Sequence, residues 1–385
     1  MTTSATPLVQ LGRPDRAPKA MVALEVDGRE VRVPEGTTIL GACAALGIEI
    51  PTLCWLETLR PVNVCRLCVV EVEGARVLAP SCSRAVEPGM KVRSASERVR
   101  HSRRLVLELL ASSVDLSTTD GMADLLAEYE CRPERYGPPA PAAAGGERDA
   151  AIPGHHAPPD PAFAATVRQP VKVDNDLYVR DYAKCVLCYK CVEACGPDHQ
   201  NTFAIAVAGR GFDARISTEF AVPLPDSACV YCGNCIAVCP TGALMAKDEF
   251  DLRAAGSWHP DAQTVTDTIC PYCGVGCTLT LHVQDGDIVK ATSPLENAIT
   301  LGNLCVKGRF GWRFVQNRSA PSRQDRLQRQ RLSGCSGNNG FHGTPSCART
   351  DDSIELWVGA EVQEKPNIEV RCPQVIEQLR HCDFM

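Results

Sequence analysis

Aromatic residues are scarce in this chain: nine Phe, seven Tyr and four Trp make up 5% of 385 positions. Large aromatic-rich cores are therefore not expected. Long apolar stretches are missing as well. No run of 18 apolar residues occurs, which argues against a transmembrane helix. The opening segment MTTSATPLVQLGRPDRAPKA has neither an apolar centre nor a twin arginine and does not read as an export signal. Basic residues are not in excess either. The net charge of −6 gives no general reason to expect nucleic-acid binding.

What the chain has in abundance is cysteine, with 22 residues. In a small secreted protein that number would read as disulfides. A chain without an export signal is expected in the cytoplasm, where thiols stay reduced and closely repeated cysteines serve as metal ligands.

Sixteen of the cysteines fall into four sets of four. Cys54, Cys65, Cys68 and Cys82 are spaced C-x10-C-x2-C-x13-C. A 2Fe–2S cluster needs four thiolates, two on each iron, and a close pair plus two outlying cysteines suits it. The alternative is a pair of buried cysteines with two unrelated ones. Residues 185–195 (CVLCYKCVEAC) and 229–239 (CVYCGNCIAVC) both read C-x2-C-x2-C-x3-C. In this two-cluster repeat the fourth cysteine of each run ligates the other run's 4Fe–4S cluster. The pairing predicts Cys185, Cys188, Cys191 and Cys239 at one cluster, and Cys229, Cys232, Cys235 and Cys195 at the other. Pro240 follows the second run directly, whereas Gly196 separates Cys195 from Pro197. A zinc site uses four ligands and leaves half of each run unexplained.

Cys270, Cys273, Cys277 and Cys305 form the fourth set, C-x2-C-x3-C-x27-C, read as a third 4Fe–4S site. Gly274 and Gly276 let the backbone wrap closely. A structural zinc knuckle is the alternative. Of the remaining cysteines, Cys43 reads as a small buried hydrophobe on a short helix. Cys131, Cys335, Cys347, Cys372 and Cys382 show no cluster spacing.

The expected fold class is α+β, in modules. Residues 1–20 form a flexible tail. Residues 21–96 form a β-grasp 2Fe–2S ferredoxin domain, with a hairpin around Asp27-Gly28 and a helix capped by Thr37 or Thr38 and ending at Gly47. Residues 97–136 are helical, with Leu105, Val106, Leu109 and Leu110 as the apolar face. Residues 137–170, rich in Pro, Ala, Gly and His, form a linker. Residues 171–250 form a double 4Fe–4S ferredoxin-like domain. Residues 263–317 form a small β-rich 4Fe–4S domain around an Asp-Gly hairpin in TLTLHVQDGDIVKAT. Residues 318–385 lack apolar periodicity and are expected to form an unpatterned, disordered tail.

The order of these modules resembles the N-terminal half of the alpha (molybdenum) subunit of cytoplasmic NAD-dependent formate dehydrogenases. It also resembles the large iron–sulfur subunit of complex I. IPTLCWLETLRPVNVCRLCVVEVEG is similar to the 2Fe–2S domain of both. CPYCGVGC with LCVKGRFGW is similar to the first domain of molybdopterin oxidoreductases. This resemblance implies that Lys307, two residues after Cys305, lies between the fourth cluster and a pterin; the alternative is a surface lysine. It also implies flavin- and NAD-binding diaphorase subunits as partners, and neither nucleic acid nor a membrane span.

Two departures accompany it. Relatives carry an extra cluster bound by one His and three Cys after the 2Fe–2S domain, but the matching stretch offers only His101 and Cys131. That cluster is expected to be lost, with His101 on an exposed helical face. Relatives also continue for several hundred residues that hold molybdopterin guanine dinucleotide and the substrate site. That cofactor is not expected in this chain, no catalytic residue is assigned, and a truncated or frame-shifted reading is one explanation. Three functions follow: the electron-transfer part of a formate dehydrogenase, a complex I or hydrogenase-type diaphorase subunit, and a nonfunctional or scaffolding product. CPYCGVGC argues against an iron-only hydrogenase.

Overall fold

The structure is a computed structural model and describes residues 19–137, 155–156, 166–167, 171–211 and 214–316. The N-terminal tail through residue 18, most of the expected linker, and the tail from residue 317, with Cys335, Cys347, Cys372 and Cys382, lie outside the described residues. The chain divides into a unit ending at Arg313 and a second unit starting at Phe314, of which only three residues are described.

The first module is a five-stranded sheet with one helix. Strands β1 (Met21–Val26) and β2 (Arg29–Pro34) form an antiparallel hairpin. Its turn is Asp27-Gly28, both left-handed at φ 50° and 79°, which matches the twist of the strands. The Asp27 carboxylate accepts the Ser94 amide and hydroxyl at 2.8 and 2.6 Å, which ties the turn to the end of the strand that neighbours β1. Helix α1 (Ile39–Ala45) starts at Thr38, whose hydroxyl accepts the Gly41 amide. Strands β3 (Val69–Val72), β4 (Ala79–Pro80) and β5 (Lys91–Arg93) complete the order β2-β1-β5-β3-β4. Strand β5 runs parallel to β1 and antiparallel to β3. Leu24, Val26, Val33, Ile39, Ala42 and Val92 share one core. Cys43 is fully buried there, as its helical position predicts.

Helices α2 (Glu97–Ser113) and α3 (Met122–Glu128) follow. The apolar face expected on α2 needs correction. Leu109 is 52% exposed, while Val99, Arg103 and Leu107 are buried. The face turned inward therefore includes an arginine that a hydrophobicity reading passes over. His101 is exposed, as expected, and lies 3.1 Å from Arg104 through its Nδ1. Two-residue strands β6 (His155–His156) and β7 (Thr166–Val167) pair within the stretch expected as a linker.

The next part is built on two two-stranded sheets and two short helices. Strand β8 (Tyr178–Arg180) pairs with β11 (Leu244–Ala246), and β9 (Ala206–Ala208) with β10 (Arg215–Ser217). Helix α4 (Lys190–Cys195) carries Cys191 and Cys195, and helix α5 (Asn234–Ala237) carries Cys235. Their shared core holds Tyr178, Tyr182, Ala194, Ile216 and Leu244. Helix α6 (Lys247–Ala254) leads to an antiparallel three-stranded sheet of β12 (Thr264–Ile269), β13 (Thr278–Gln284) and β14 (Asp287–Thr292). Its second hairpin turns at Asp285-Gly286, again left-handed. Helix α7 (Val306–Phe310) begins directly after Cys305.

Candidate metal centres

The first set gathers beside the edge of the five-stranded sheet. Cys54, Cys68 and Cys82 are buried and Cys65 is half-buried. The Sγ atoms of Cys68 and Cys82 lie 3.3 Å apart. Cys54 is hydrogen-bonded to Cys65 and to the backbone amides of Cys65, Val64 and Asn63, which hold its thiol near 5. Cys68, bonded to Cys82, is held near 6. Their partners Cys65 and Cys82 are pushed far up by the same bonds and by burial. The loop owes its shape to left-handed Asn63 (φ 68°) and Arg66 (φ 58°), which turn amides inward. Arg103 braces it from behind, donating to the carbonyls of Leu67 and Val69 on either side of Cys68 and to the Tyr129 hydroxyl.

The two ferredoxin-like runs take the same backbone path. Leu187 and Tyr231, each two residues after the first cysteine, are left-handed at φ 52° and 56°. Tyr189 and Gly233, each four residues after it, are left-handed at φ 63° and 70°. This alternation aims amides at the sulfurs. The amides of Leu187 and Lys190 serve Cys185 and Cys188, and those of Tyr231 and Asn234 serve Cys229 and Cys232. One cavity is lined by Cys185, Cys188, Cys191 and Cys239. The other is lined by Cys229, Cys232, Cys235 and Cys195. Each cavity thus takes three cysteines from one run and the last from the other.

Burial pushes Cys185 up to about 12 and Cys188 and Cys232 up to about 11, and drives Cys191 and Cys235 well above the ordinary range. Without metal these are neutral thiols, so loading must expel protons. Hydroxyls sit on the same sulfurs. Tyr178 Oη is 2.8 Å from Cys229, Thr202 Oγ1 is 3.4 Å from Cys195, and Thr241 Oγ1 is 3.9 Å from Cys239. Hydrogen bonds to sulfur raise a cluster's potential, so these three residues belong to the site although the cysteine pattern does not reveal them.

The fourth set occupies the β12–β13 loop and the start of α7. The Cys270 amide donates to the Cys277 carbonyl at 2.8 Å and closes the loop. The thiols of Cys270, Cys305 and Cys273 all act on Cys277, whose own thiol burial pushes up. Cys270 is buried, whereas Cys273 and Cys305 are exposed. Lys307 is half-buried on α7; its carbonyl accepts the Gly311 amide, and its side chain makes no hydrogen bond or ion pair among the described residues. Cys131 is half-buried, with its sulfur against the Arg104 carbonyl.

Neighbouring sets lie within electrostatic reach of one another. Cys54 acts electrostatically on Cys188, Cys235 on Cys191, and Cys305 with Cys232 on Arg309. The donor chemistry fits iron–sulfur clusters: four cysteines in each set, amides directed at sulfur in the first three, and open space between the thiols of the two middle sets. Among the described residues, no three His, Cys, Asp or Glu side chains close into the shell of a single metal ion.

Known proteins agree with this layout. The model of a 2Fe–2S iron–sulfur cluster binding domain matches residues 19–97. A 4Fe–4S dicluster domain matches residues 184–243, and a molybdopterin oxidoreductase Fe4S4 domain matches residues 263–317. The alpha subunit of an NADPH-Fe(3+) oxidoreductase from Geobacter sulfurreducens is 35% identical over 299 residues, 77% of this chain and 32% of that protein. The G 2 subunit of NADH-quinone oxidoreductase from Rhizobium meliloti is 32% identical over 318 residues, 80% of this chain and 32% of that protein. The HndD subunit of an NADP-reducing hydrogenase from Solidesulfovibrio fructosivorans is 36% identical over 254 residues, 65% of this chain and 40% of that protein. The chain thus spans between 32% and 40% of the length of these relatives. The chain therefore carries matches to three iron–sulfur domain models, on a structure of mixed helix and sheet. Among the described residues no helix is long and apolar enough to cross a membrane.

Proposed function

We propose that residues 19–316 are the electron-conducting arm of a nicotinamide-linked oxidoreductase. Cys54, Cys65, Cys68 and Cys82 would hold a 2Fe–2S cluster. Cys185, Cys188, Cys191 and Cys239 would hold one 4Fe–4S cluster, Cys229, Cys232, Cys235 and Cys195 a second, and Cys270, Cys273, Cys277 and Cys305 a third. Bound there, iron–sulfur clusters supply one-electron transfer at potentials set by charge, burial and hydrogen bonds to sulfur. The observation that carries this reading is the pair of middle cavities, each lined by three cysteines of one run and the last cysteine of the other.

The ends of the series differ. The Cys54 end lies beside the sheet and is enclosed, with three of its four cysteines buried. It would face a flavin- and NAD-binding diaphorase partner in the cytoplasm, where thiols stay reduced. The Cys270 end keeps Cys273 and Cys305 exposed and the Lys307 side chain without a partner among the described residues. It would face substrate chemistry, with Lys307 directed to a pterin. The finer assignment is the alpha subunit of an NAD-dependent formate dehydrogenase, with formate oxidised outside residues 19–316. A complex I-type subunit is the second reading, favoured by the similarity to the NADH-quinone oxidoreductase relative over 80% of the chain.

Anaerobically reconstituted protein should be reducible by dithionite at all four sites, and formate alone should reduce none. Supplied with a molybdopterin-bearing domain, formate should then reduce a viologen dye under the first reading and not under the second. With a flavin-bearing diaphorase subunit and NADH, the 4Fe–4S signals should appear in the native protein and be sharply delayed by Cys65→Ala. Unchanged kinetics in that variant would overturn the orientation of the series.

A further inference from the structure

Arg309 is a buried guanidinium without a carboxylate to balance it. It is 5% exposed. Among the described residues it makes no ion pair, and the sulfurs of Cys232, Cys235 and Cys305 lie near enough to act on it once they are ionised. Arg180, also buried, pairs with Asp174. A buried cation left unpaired is costly, so a site that keeps one must supply negative charge from somewhere.

The surroundings fix its place. Nε donates to the Cys232 carbonyl at 2.9 Å, and Nη2 donates to Asn234 Oδ1 at 3.1 Å. The same Asn234 oxygen accepts the Leu304 amide at 3.1 Å, and the Arg309 amide donates to the Cys305 carbonyl at 3.0 Å. The side chain thus reaches from the α7 segment of the fourth set into the loop of the third. Gly233 leaves room for it: a Cβ there would lie 2.3 Å from Arg309 Cδ and 2.9 Å from Nε. Gly233 is also left-handed, at φ 70°. Both the backbone and the arginine's passage require glycine at this position.

We propose that Arg309 is a shared counter-cation for the Cys229/Cys232/Cys235/Cys195 site and the Cys270/Cys273/Cys277/Cys305 site, raising the reduction potential of both. Reduction at either site adds one electron and one unit of negative charge. A fixed cation nearby, shielded from water, stabilises the reduced form. Arg309 itself gains and loses neither proton nor electron. Placed between two sites, one charge raises both potentials together and leaves the two more distant sites unaffected. This inference rests on the reading of the cysteines as cluster ligands.

The test is an EPR-monitored redox titration of the reconstituted full chain, with dithionite as reductant and mediator dyes, on native protein, Arg309→Met and Arg309→Lys. Iron and sulfide are measured on the same samples, so absence of clusters from native protein refutes the ligand reading separately. In Arg309→Met, two of the three 4Fe–4S components should move to lower potential, while the third and the 2Fe–2S centre hold. Arg309→Lys, which keeps the charge, should restore most of the shift. Unmoved potentials, movement of one component alone, or an equal drop in all four would overturn the proposal. If Arg309→Met fails to load, Arg309→Lys must load and titrate as the native protein does. Failure of both to load would show that the arginine acts through its hydrogen bonds and not its charge, and would also overturn it.

Discussion

Arg60 grips Asp198 twice, through its backbone amide to Oδ2 and its Nε to Oδ1, both at 2.7 Å. Arg60 lies between Cys54 and Cys65, and Asp198 lies just past Cys195. The pair therefore joins the first cysteine loop to the ferredoxin-like part, and His199 Nε2, 3.1 Å from the Thr58 carbonyl, adds a second tie. Asp198→Ala should cost about 1–2 kcal/mol, since it strands a backbone amide while the Arg60 side chain stays largely in water. Chemical denaturation of the reconstituted protein measures this. A cost near zero would mean that the two parts are held by apolar packing alone. Burial opposes ionisation of Asp198, but the Arg60 amide and guanidinium outweigh it and lower its pKa. The contribution should be complete above the ordinary carboxylate range and fade as pH falls through the depressed folded value.

Glu249 makes the corresponding junction at the other end. Its carboxylate accepts from Arg253 at 2.8 and 3.0 Å and from Lys290 at 2.9 Å, which links α6 to β14. The side chain is buried, which works against its charge, yet Lys290 and Arg253 lower its pKa overall. Glu249→Gln should cost about 2–3 kcal/mol at neutral pH by leaving two cations partly unpaired. A depressed carboxylate stabilises above its unfolded pKa and loses that effect as pH falls through its folded one. The gap in melting temperature between native protein and Glu249→Gln should therefore close on acidification from pH 7. A gap that stays constant would assign the loss to packing instead of charge.

The crossing of the two ferredoxin-like runs gives a prediction with the opposite sign from simple proximity in sequence. Cys239→Ala should remove the site formed with Cys185, Cys188 and Cys191 and spare the one formed with its own run. Cys195→Ala should do the reverse. Each should lower the iron content by about four per chain. Loss of the Cys229, Cys232 and Cys235 site in Cys239→Ala would refute the crossed arrangement.

Much of this was legible in the sequence, because cluster-binding loops are local. Spacing alone placed the four cysteine sets, and Asp27-Gly28 and Asp285-Gly286 fixed two hairpins whose turns need left-handed residues. The inward face of α2 was not legible. Arg103 sits where periodicity asks for an apolar side chain, and the carbonyls of Leu67 and Val69 and the Tyr129 hydroxyl, 26 to 36 positions away, account for it. Arg309 and Asn234 were hidden for the same reason, since their partners lie 75 to 77 positions distant in the chain. Tyr178 was hidden likewise, its hydroxyl meeting Cys229 from 51 positions away. Ligand type is a local signal, whereas the charges and hydroxyls that tune each site come from elsewhere in the chain.

The central claim, that the sixteen cysteines hold four iron–sulfur clusters, is tested most directly by iron, zinc and acid-labile sulfide analysis of the full chain purified without oxygen. About fourteen irons and about fourteen sulfides per chain are expected, with no stoichiometric zinc, for one 2Fe–2S and three 4Fe–4S clusters. Stoichiometric zinc, or iron without sulfide, in protein that is folded and monodisperse would contradict it.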